Sequence, residues 1–159
     1  MFGFKKNKDN SKKIVSPLKG RAVPLKEVSD PTFSEEMLGK GMAVIPTEGT
    51  LISPVDGKVE LLFDTNHAIN LVSDDGMQIL IHVGIDTVTL KGEHFEATTA
   101  TGNIVKKGDT LLNFNIDGIK AAGLDIVTPI VILNTDEYKE IKGLHIGEID
   151  FLDDLISIN

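Results

Sequence analysis

Histidine is the side chain with which this sequence could do chemistry near neutral pH. The 159 residues include four histidines, at positions 67, 82, 94 and 145, and no cysteine. Without cysteine the chain has no disulfide, zinc–thiolate site or thiol nucleophile. Covalent catalysis would therefore need another side chain, and imidazole, which titrates near neutrality, is the leading candidate.

His82 interrupts the apolar stretch MQILIHVGIDT, residues 77–87. This stretch is typical of a buried strand, and a buried imidazole needs a hydrogen-bond partner. His82 is therefore either a structural histidine with such a partner or part of a functional site.

A second histidine lies opposite His82 if residues 67–82 form a hairpin. With a two-residue turn at 74–75, cross-strand partners add up to 149, and His67 faces His82 with Cβ atoms about 4.5–5.5 Å apart. A bulge at Gly76 would shift the register by one and send the two rings to opposite faces. We predict the unbulged register. It places both rings at one end of a face lined by Ile69, Leu71 and Leu80.

Two facing imidazoles can share structural hydrogen bonds, bind a metal, or act as nucleophile and charge stabiliser. A metal hydrolase would need a third ligand and a general base. The first carboxylates after His82 in the sequence are Asp86 and Glu93, and neither HxH nor HExxH spacing occurs. Metal hydrolysis is the weaker interpretation.

Phosphoryl transfer suits the same pair better. A neutral imidazole nitrogen can attack phosphorus, and the second ring can donate an N–H to the phosphoryl oxygens. The sequence contains no P-loop motif for a nucleotide. The phosphoryl group should then come from another protein and not from ATP.

The elements that position the histidines are short strands. Runs rich in Val, Ile, Leu and Thr alternate with turn signals, which predicts an all-β sandwich or barrel. One short helix is predicted in PTFSEEMLG (31–39), capped by Thr32 or Ser34 and ended by Gly39, and a second turn around 116–122. Segments 15–23 and 52–60 share Ser-Pro and a later Gly, which suggests a duplicated β-motif.

Length and charge set further limits. The chain is long enough for one domain with its own core, and it lacks an apolar span or secretory signal, so we expect a cytoplasmic protein.

Residues 1–26 carry eight Lys or Arg and one Asp (+7), which leaves −15 for the rest of a chain of net charge −8. An acidic body argues against a nucleic-acid partner. The basic segment 1–13 is interpreted as a flexible tail, with weak contact to an anionic membrane surface as the alternative.

Several segments resemble the glucose-type enzyme IIA of the bacterial phosphoenolpyruvate-dependent sugar phosphotransferase system. The resemblance runs over residues 14–158 and implies one phosphocarrier domain, 14–159, with an antiparallel β-sandwich of the barrel-sandwich, duplicated hybrid type. The motifs that carry it are TNHAI (65–69), LIHVGIDTV (80–88), LKGEHF (90–95), SPVDGKV (53–59), GKGMAVIPTEG (39–49), KKGDTL (106–111) and TPIVILN (128–134).

The resemblance also implies roles for individual residues. His82 would accept a phosphoryl group from the phosphocarrier HPr and pass it to a cysteine of the IIB domain of a sugar permease. His67 would hydrogen-bond the phosphoryl oxygens, with its ring oriented by Thr65. The carbonyl of Gly84 would fix the His82 ring, and Asp86 would lie beside the site and favour a protonated partner ring.

An apolar rim around the two rings would exclude water and dock partners. Without the resemblance, the same residues would be assigned to the core. Two departures from the family pattern are His94, where glycine is usual, and Thr32, where the rim is usually aliphatic; His145 is expected to be unrelated to the site. The expected rim comprises Phe33, Met37, Leu38, Phe63, Leu80 and Val88.

The resulting expectation is a free-standing, monomeric transferase without a dissociable cofactor. One rival hypothesis is a regulatory binding protein that controls a transporter or kinase without carrying phosphoryl flux. The other is a zinc hydrolase. The resemblance itself implies that zinc binds His67 and His82 only in a complex, where a partner supplies a carboxylate.

Overall fold

The computed structural model describes residues 11–159, and most of these residues form short strands joined by tight turns. The strands are β1 (Lys12–Val15), β2 (Gly20–Pro24), β3 (Lys40–Pro46), β4 (Thr50–Ile52), β5 (Gly57–Leu62), β6 (Ala68–Ser73), β7 (Gln78–His82), β8 (Phe95–Ala97), β9 (Ile104–Val105), β10 (Thr110–Phe114), β11 (Thr128–Ile132), β12 (Ile141–Gly143), β13 (Gly147–Ile149) and β14 (Asp154–Ile158). The α-helices are α1 (Pro31–Ser34) and α2 (Ile116–Ala121), and 3-10 turns cover Leu25–Glu27, Thr87–Leu90 and Thr135–Glu137.

From residue 11 onward the strands form one large and two small sheets. The eight-stranded sheet has the order β9-β5-β6-β7-β11-β3-β2-β13, and the three-stranded sheets have the orders β4-β10-β8 and β12-β14-β1. Every strand pair among them is antiparallel. The prediction of an antiparallel all-β fold with two short helices is confirmed.

The strands β6 and β7 separate two apolar clusters because side chains alternate between the faces of a sheet. Ile69, Ile79 and Ile81 pack into the larger cluster, whereas Ala68 and Leu80 pack into the smaller one with Phe33. The prediction that Leu80 shares a face with Ile69 and Leu71 is therefore wrong. The smaller cluster lies on the face to which His82 belongs by strand alternation.

The register of the β6–β7 hairpin also differs from the prediction. Ala68, not His67, pairs with His82, so cross-strand partners add up to 150. The turn has three residues, since the Ser73 amide donates to the Met77 carbonyl (2.9 Å). Gly76 lies in the left-handed region (φ 90°). A left-handed residue at the end of a three-residue loop suits the twist of a hairpin, and glycine takes it up without strain.

The two Ser-Pro segments adopt the same turn. The buried Ser16 hydroxyl donates to the Leu18 carbonyl and the buried Ser53 hydroxyl to the Val55 carbonyl, both at 2.6 Å. Each turn leads into a strand of the large sheet, β2 or β5. The repeat seen in the sequence is thus a repeat of local structure.

Helix α1 is shorter than predicted and has a different cap. It ends at Ser34, well before Gly39. The Asp30 carboxylate, not Thr32 or Ser34, accepts the Thr32 amide (2.9 Å), and Pro31 occupies the first turn. Aspartate followed by proline is a strong helix start because proline has no amide that would need a partner there. Helix α2 lies where it was predicted, with Asn115 as its cap.

The first strand begins inside the segment that was predicted to be a tail. Lys12 and Lys13 belong to β1 and pair with β14, so the predicted boundary at residue 13 is too late. Residues 1–10 of the basic segment, and the membrane contact considered for the segment, lie outside the described residues. Among residues 11–159, no helix is long and apolar enough to cross a membrane.

Candidate active site

His67 and His82 form a contacting pair at one end of the β6–β7 hairpin. Their ring centroids are 4.9 Å apart and the ring planes meet at 81°, so one ring points its edge at the other. Phe33 lies against His82 (5.3 Å between centroids) and Phe63 against His67 (5.7 Å). The two rings therefore lie together, although the predicted register that was to bring them together is wrong.

The rings meet because His67 is not a strand residue. Strand β6 begins at Ala68, and the Phe63 amide donates to the Ala68 carbonyl (3.1 Å), so residues 64–67 form the loop that joins β5 to β6. Asn66 within this loop is left-handed (φ 59°). The His67 carbonyl accepts the Val83 amide (2.8 Å), which ties the end of the loop to the end of β7. Strand alternation thus does not govern the direction of the His67 ring.

The His82 ring is fixed by the main chain. Its Nδ1 lies 2.7 Å from the Gly84 carbonyl oxygen, which can only accept, so Nδ1 carries the proton. In the neutral ring Nε2 is then unprotonated and carries the lone pair. Gly84 is left-handed (φ 78°), and a Cβ there would come within 2.6 Å of the Thr87 methyl group, so only glycine fits.

The His67 ring is buried and is oriented by a side chain. Its Nδ1 lies 2.6 Å from the Thr65 hydroxyl within the same loop. Burial, and secondarily the neighbouring His82, lowers the pKa of His67 from 6.5 to about 4. The ring is neutral at pH 7. When the Thr65 hydroxyl donates to Nδ1, Nε2 of His67 carries the proton and becomes a hydrogen-bond donor.

Burial also lowers the pKa of His82 below its usual value of 6.5. The hydrogen bond to Gly84 and the negative charges of Asp30 and Asp86 oppose this shift. Asp30, the cap of α1, was not among the predicted site residues, although the sequence Asp-Pro at 30–31 marks it as a helix cap. Asp86 is exposed.

The six residues expected to form the apolar rim separate into two groups. Phe33 and Leu80 are buried in the smaller apolar cluster, and Phe63 is partly buried against it. Met37, Leu38 and Val88 are exposed, at 70%, 40% and 51%. Of the first group, Phe33 and Phe63 contact the rings, and the second group is exposed to solvent.

The remaining expected residues lie in varied surroundings. The half-buried His94 is left-handed (φ 78°) and packs on α2, where a Cβ at Gly118 would come within 2.4 Å of its Nδ1. The His145 ring is hydrogen-bonded to the Glu148 carbonyl. Thr32 is half-buried in α1. No group of three or more His, Cys, Asp or Glu side chains that could hold a metal ion occurs in the part of the chain that is described.

Comparison with known proteins points to a single family. The model of the family described as "phosphoenolpyruvate-dependent sugar phosphotransferase system, EIIA 1" matches residues 12–138. The "PTS system glucose-specific EIIA component" of Oceanobacillus iheyensis is 44% identical over 149 residues, which cover 94% of this chain and 90% of that protein.

Two further matches extend the comparison. The "PTS system beta-glucoside-specific EIIBCA component" of Dickeya chrysanthemi is 47% identical over 137 residues, which cover 86% of this chain but only 22% of that longer protein. The solved structure of glucose permease IIA from Mycoplasma capricolum superimposes with a TM-score of 0.88 at 32% identity and covers 94% of this chain and 96% of that one.

Proposed function

The chain belongs to the EIIA 1 family of the phosphoenolpyruvate-dependent sugar phosphotransferase system, and we propose that within this system it accepts a phosphoryl group from phospho-HPr on His82. The group then passes to a cysteine of the IIB domain of a sugar permease during sugar uptake. The contact between a fixed, neutral His82 ring and a buried His67 ring carries this proposal. Phospho-HPr as the donor implies that the reaction takes place in the cytoplasm.

In the accepting step, Nε2 of His82 is the nucleophile. Its lone pair attacks phosphorus, a P–N bond forms, and the bond between phosphorus and HPr breaks with its electron pair remaining on HPr. Nδ1 keeps its proton on the Gly84 carbonyl, so the ring need not rotate or change tautomer. Such transfer depends mainly on alignment and on charge stabilisation around the phosphoryl oxygens.

His67 supplies that stabilisation. Its Nε2–H, set by the contact of Nδ1 with Thr65, is the donor that we assign to the phosphoryl oxygens, because the His67 ring contacts the His82 ring. A phosphoryl group carries close to two negative charges near pH 7. That charge raises the pKa of His67 and strengthens the hydrogen bond to the phosphoryl oxygens.

In the donating step, a cysteine thiolate attacks phosphorus, a P–S bond forms, and the P–N bond to His82 breaks with its electron pair returning to Nε2. A longer relative named an EIIBCA component supports a IIB partner, because this chain matches a portion of that protein. The exposed Met37, Leu38 and Val88 are the proposed docking surface, whereas Phe33 and Leu80 are buried. An apolar contact of this kind would exclude water from the reacting atoms.

Transfer of radiolabel from phospho-HPr tests the proposal. Wild type should take up one phosphoryl group per chain, and His82→Ala should take up none. His145→Ala, a histidine variant far from the site in sequence, is the matched control and should label normally. Wild-type labelling of His82→Ala would overturn the assignment of the nucleophile. Absence of label in both wild type and His145→Ala would overturn the proposed function.

A further inference from the structure

Asn66 is the residue at which the chain turns so that the two rings can meet. It lies between Thr65 and His67, and its backbone is left-handed (φ 59°). Only a few residue types adopt this conformation readily: glycine does so freely, and asparagine is among the best tolerated of the others. A β-branched residue is strongly disfavoured there.

The backbone on both sides of Asn66 is fixed by hydrogen bonds. The Asn66 amide donates to the Phe63 carbonyl (2.8 Å), and on the other side the His67 carbonyl accepts the Val83 amide (2.8 Å). A change of backbone angle at residue 66 must therefore be absorbed between two anchored points. The residue best placed to absorb it is His67, whose ring is the group that the turn directs.

Strand pairing alone would not produce the contact between the rings. Ala68 pairs with His82 and so shares its face, which means that a strand continuing through residue 67 would point its next side chain to the opposite face. The rings are nevertheless 4.9 Å apart. The turn through Asn66 is the local feature that interrupts strand alternation immediately before His67.

We propose that Asn66 is a positioning residue, whose left-handed backbone directs the His67 ring onto the His82 face; the consequence for catalysis rests on the proposed function. Asn66 contributes through His67 and has no assigned contact with the phosphoryl group. Residues that accept the left-handed region should preserve the pair of rings. Residues that resist it should separate the rings while leaving the sheet intact.

Substitutions at residue 66 separate this role from general stability. Asn66→Gly keeps the turn, whereas Asn66→Val and the milder Asn66→Ala resist it. Leu152→Val is the matched control, because Leu152 is also left-handed (φ 72°), is exposed and belongs to the distant turn before β14. Both valine variants should lower the melting temperature, but only Asn66→Val should alter the site.

The first readout is the NMR titration of the His67 ring, which does not depend on phosphoryl transfer. Its pKa of about 4 should rise toward 6.5 in Asn66→Val, and by less in Asn66→Ala, because the ring leaves both its buried position and His82. Asn66→Gly and Leu152→Val should titrate like wild type. A wild-type His67 titration in folded Asn66→Val, or in Asn66→Ala should the valine variant not fold, would overturn the proposal.

The second readout is the rate of onward transfer to a purified IIB domain. Asn66→Val should slow it at least tenfold, whereas Asn66→Gly should stay within about threefold of wild type. If the pKa of His67 rises in Asn66→Val but the wild-type protein itself transfers no phosphoryl group, the positioning role is supported and the proposed function is refuted. Equal loss of transfer in Asn66→Gly and Asn66→Val would refute the positioning role.

Discussion

The two histidines of the site are held by different kinds of structure. His82 ends a strand in the middle of the large sheet, and its Nδ1 contacts a main-chain carbonyl. His67 ends a loop, and its Nδ1 contacts the Thr65 hydroxyl. A carbonyl only accepts a hydrogen bond, whereas a hydroxyl can donate or accept.

Under the proposed function, this difference suits the two rings to different tasks. The carbonyl of Gly84 holds His82 in one tautomer, which suits a nucleophile that must present the same nitrogen in every cycle. The Thr65 hydroxyl can donate to neutral His67 and can rotate to accept when His67 becomes protonated. His67 can therefore follow the arrival and departure of negative charge without moving its ring.

The largest expected effect comes from replacing His67, whose ring can gain and lose a proton, with a side chain that cannot change charge. His67→Gln keeps an N–H donor for the phosphoryl oxygens, so it should still accept label from phospho-HPr. It should donate onward about 10²–10³-fold more slowly, the usual range for losing one preorganised stabilising group. Rapid-quench transfer to a IIB domain measures this rate. Equal losses in the accepting and donating steps would contradict the division of tasks.

The lowered pKa of His67 should make stability depend on pH. Between about 4 and 6.5 the unfolded chain binds a proton on this histidine that the folded chain does not, so stability falls as the pH drops through this window. The shift corresponds to at most about 3 kcal/mol. Urea unfolding at a series of pH values measures it. In His67→Gln this part of the dependence should be absent, and an unchanged slope would contradict the assignment to His67.

The sequence predicts the fold class well because turns and strands leave local signals. Ser-Pro turns, Asp-Gly turns and β-branched runs mark most of the strands that are observed. The register of one hairpin was wrong because the choice between a two-residue and a three-residue turn depends on the backbone of Gly76. The sequence SDDG is compatible with both turns.

The candidate site, in contrast to the fold class, was predicted less well from the sequence. The pairing of His67 with His82 was predicted from a register that does not occur, and the rings meet through a loop whose left-handed Asn66 has no strong sequence signal. Asp30 is absent from the predicted site because the cap of this helix was predicted to be Thr32 or Ser34, whereas the structure assigns it to Asp30. Its effect on His82 depends on where α1 packs, which is a tertiary property.

Removing the Thr65 hydroxyl should have an intermediate effect. Thr65→Val keeps the shape of the side chain but leaves Nδ1 of His67 without its partner, so the ring loses its preferred tautomer. We expect onward transfer to slow about tenfold, equivalent to roughly 1.4 kcal/mol for one hydrogen bond. Thr65→Ser should restore most of the rate. A Thr65→Ser variant as slow as Thr65→Val would indicate that shape, not the hydroxyl, matters.

The smallest expected effect concerns the pKa of His82 and tests which neighbouring charge influences it most. Asp30→Asn removes a negative charge but keeps the cap of α1, because asparagine caps helices about as well as aspartate. Since the Asp30 charge raises the pKa of His82, its removal should lower that pKa further, and Asp86→Asn should do the same to a smaller extent. NMR titration of the His82 ring measures both shifts. A larger effect of Asp86→Asn would mean that the dominant charge lies on the exposed turn after β7 and not at the cap of α1. The pKa of His82 would then be set mainly by the same turn after β7 whose Gly84 carbonyl fixes the ring.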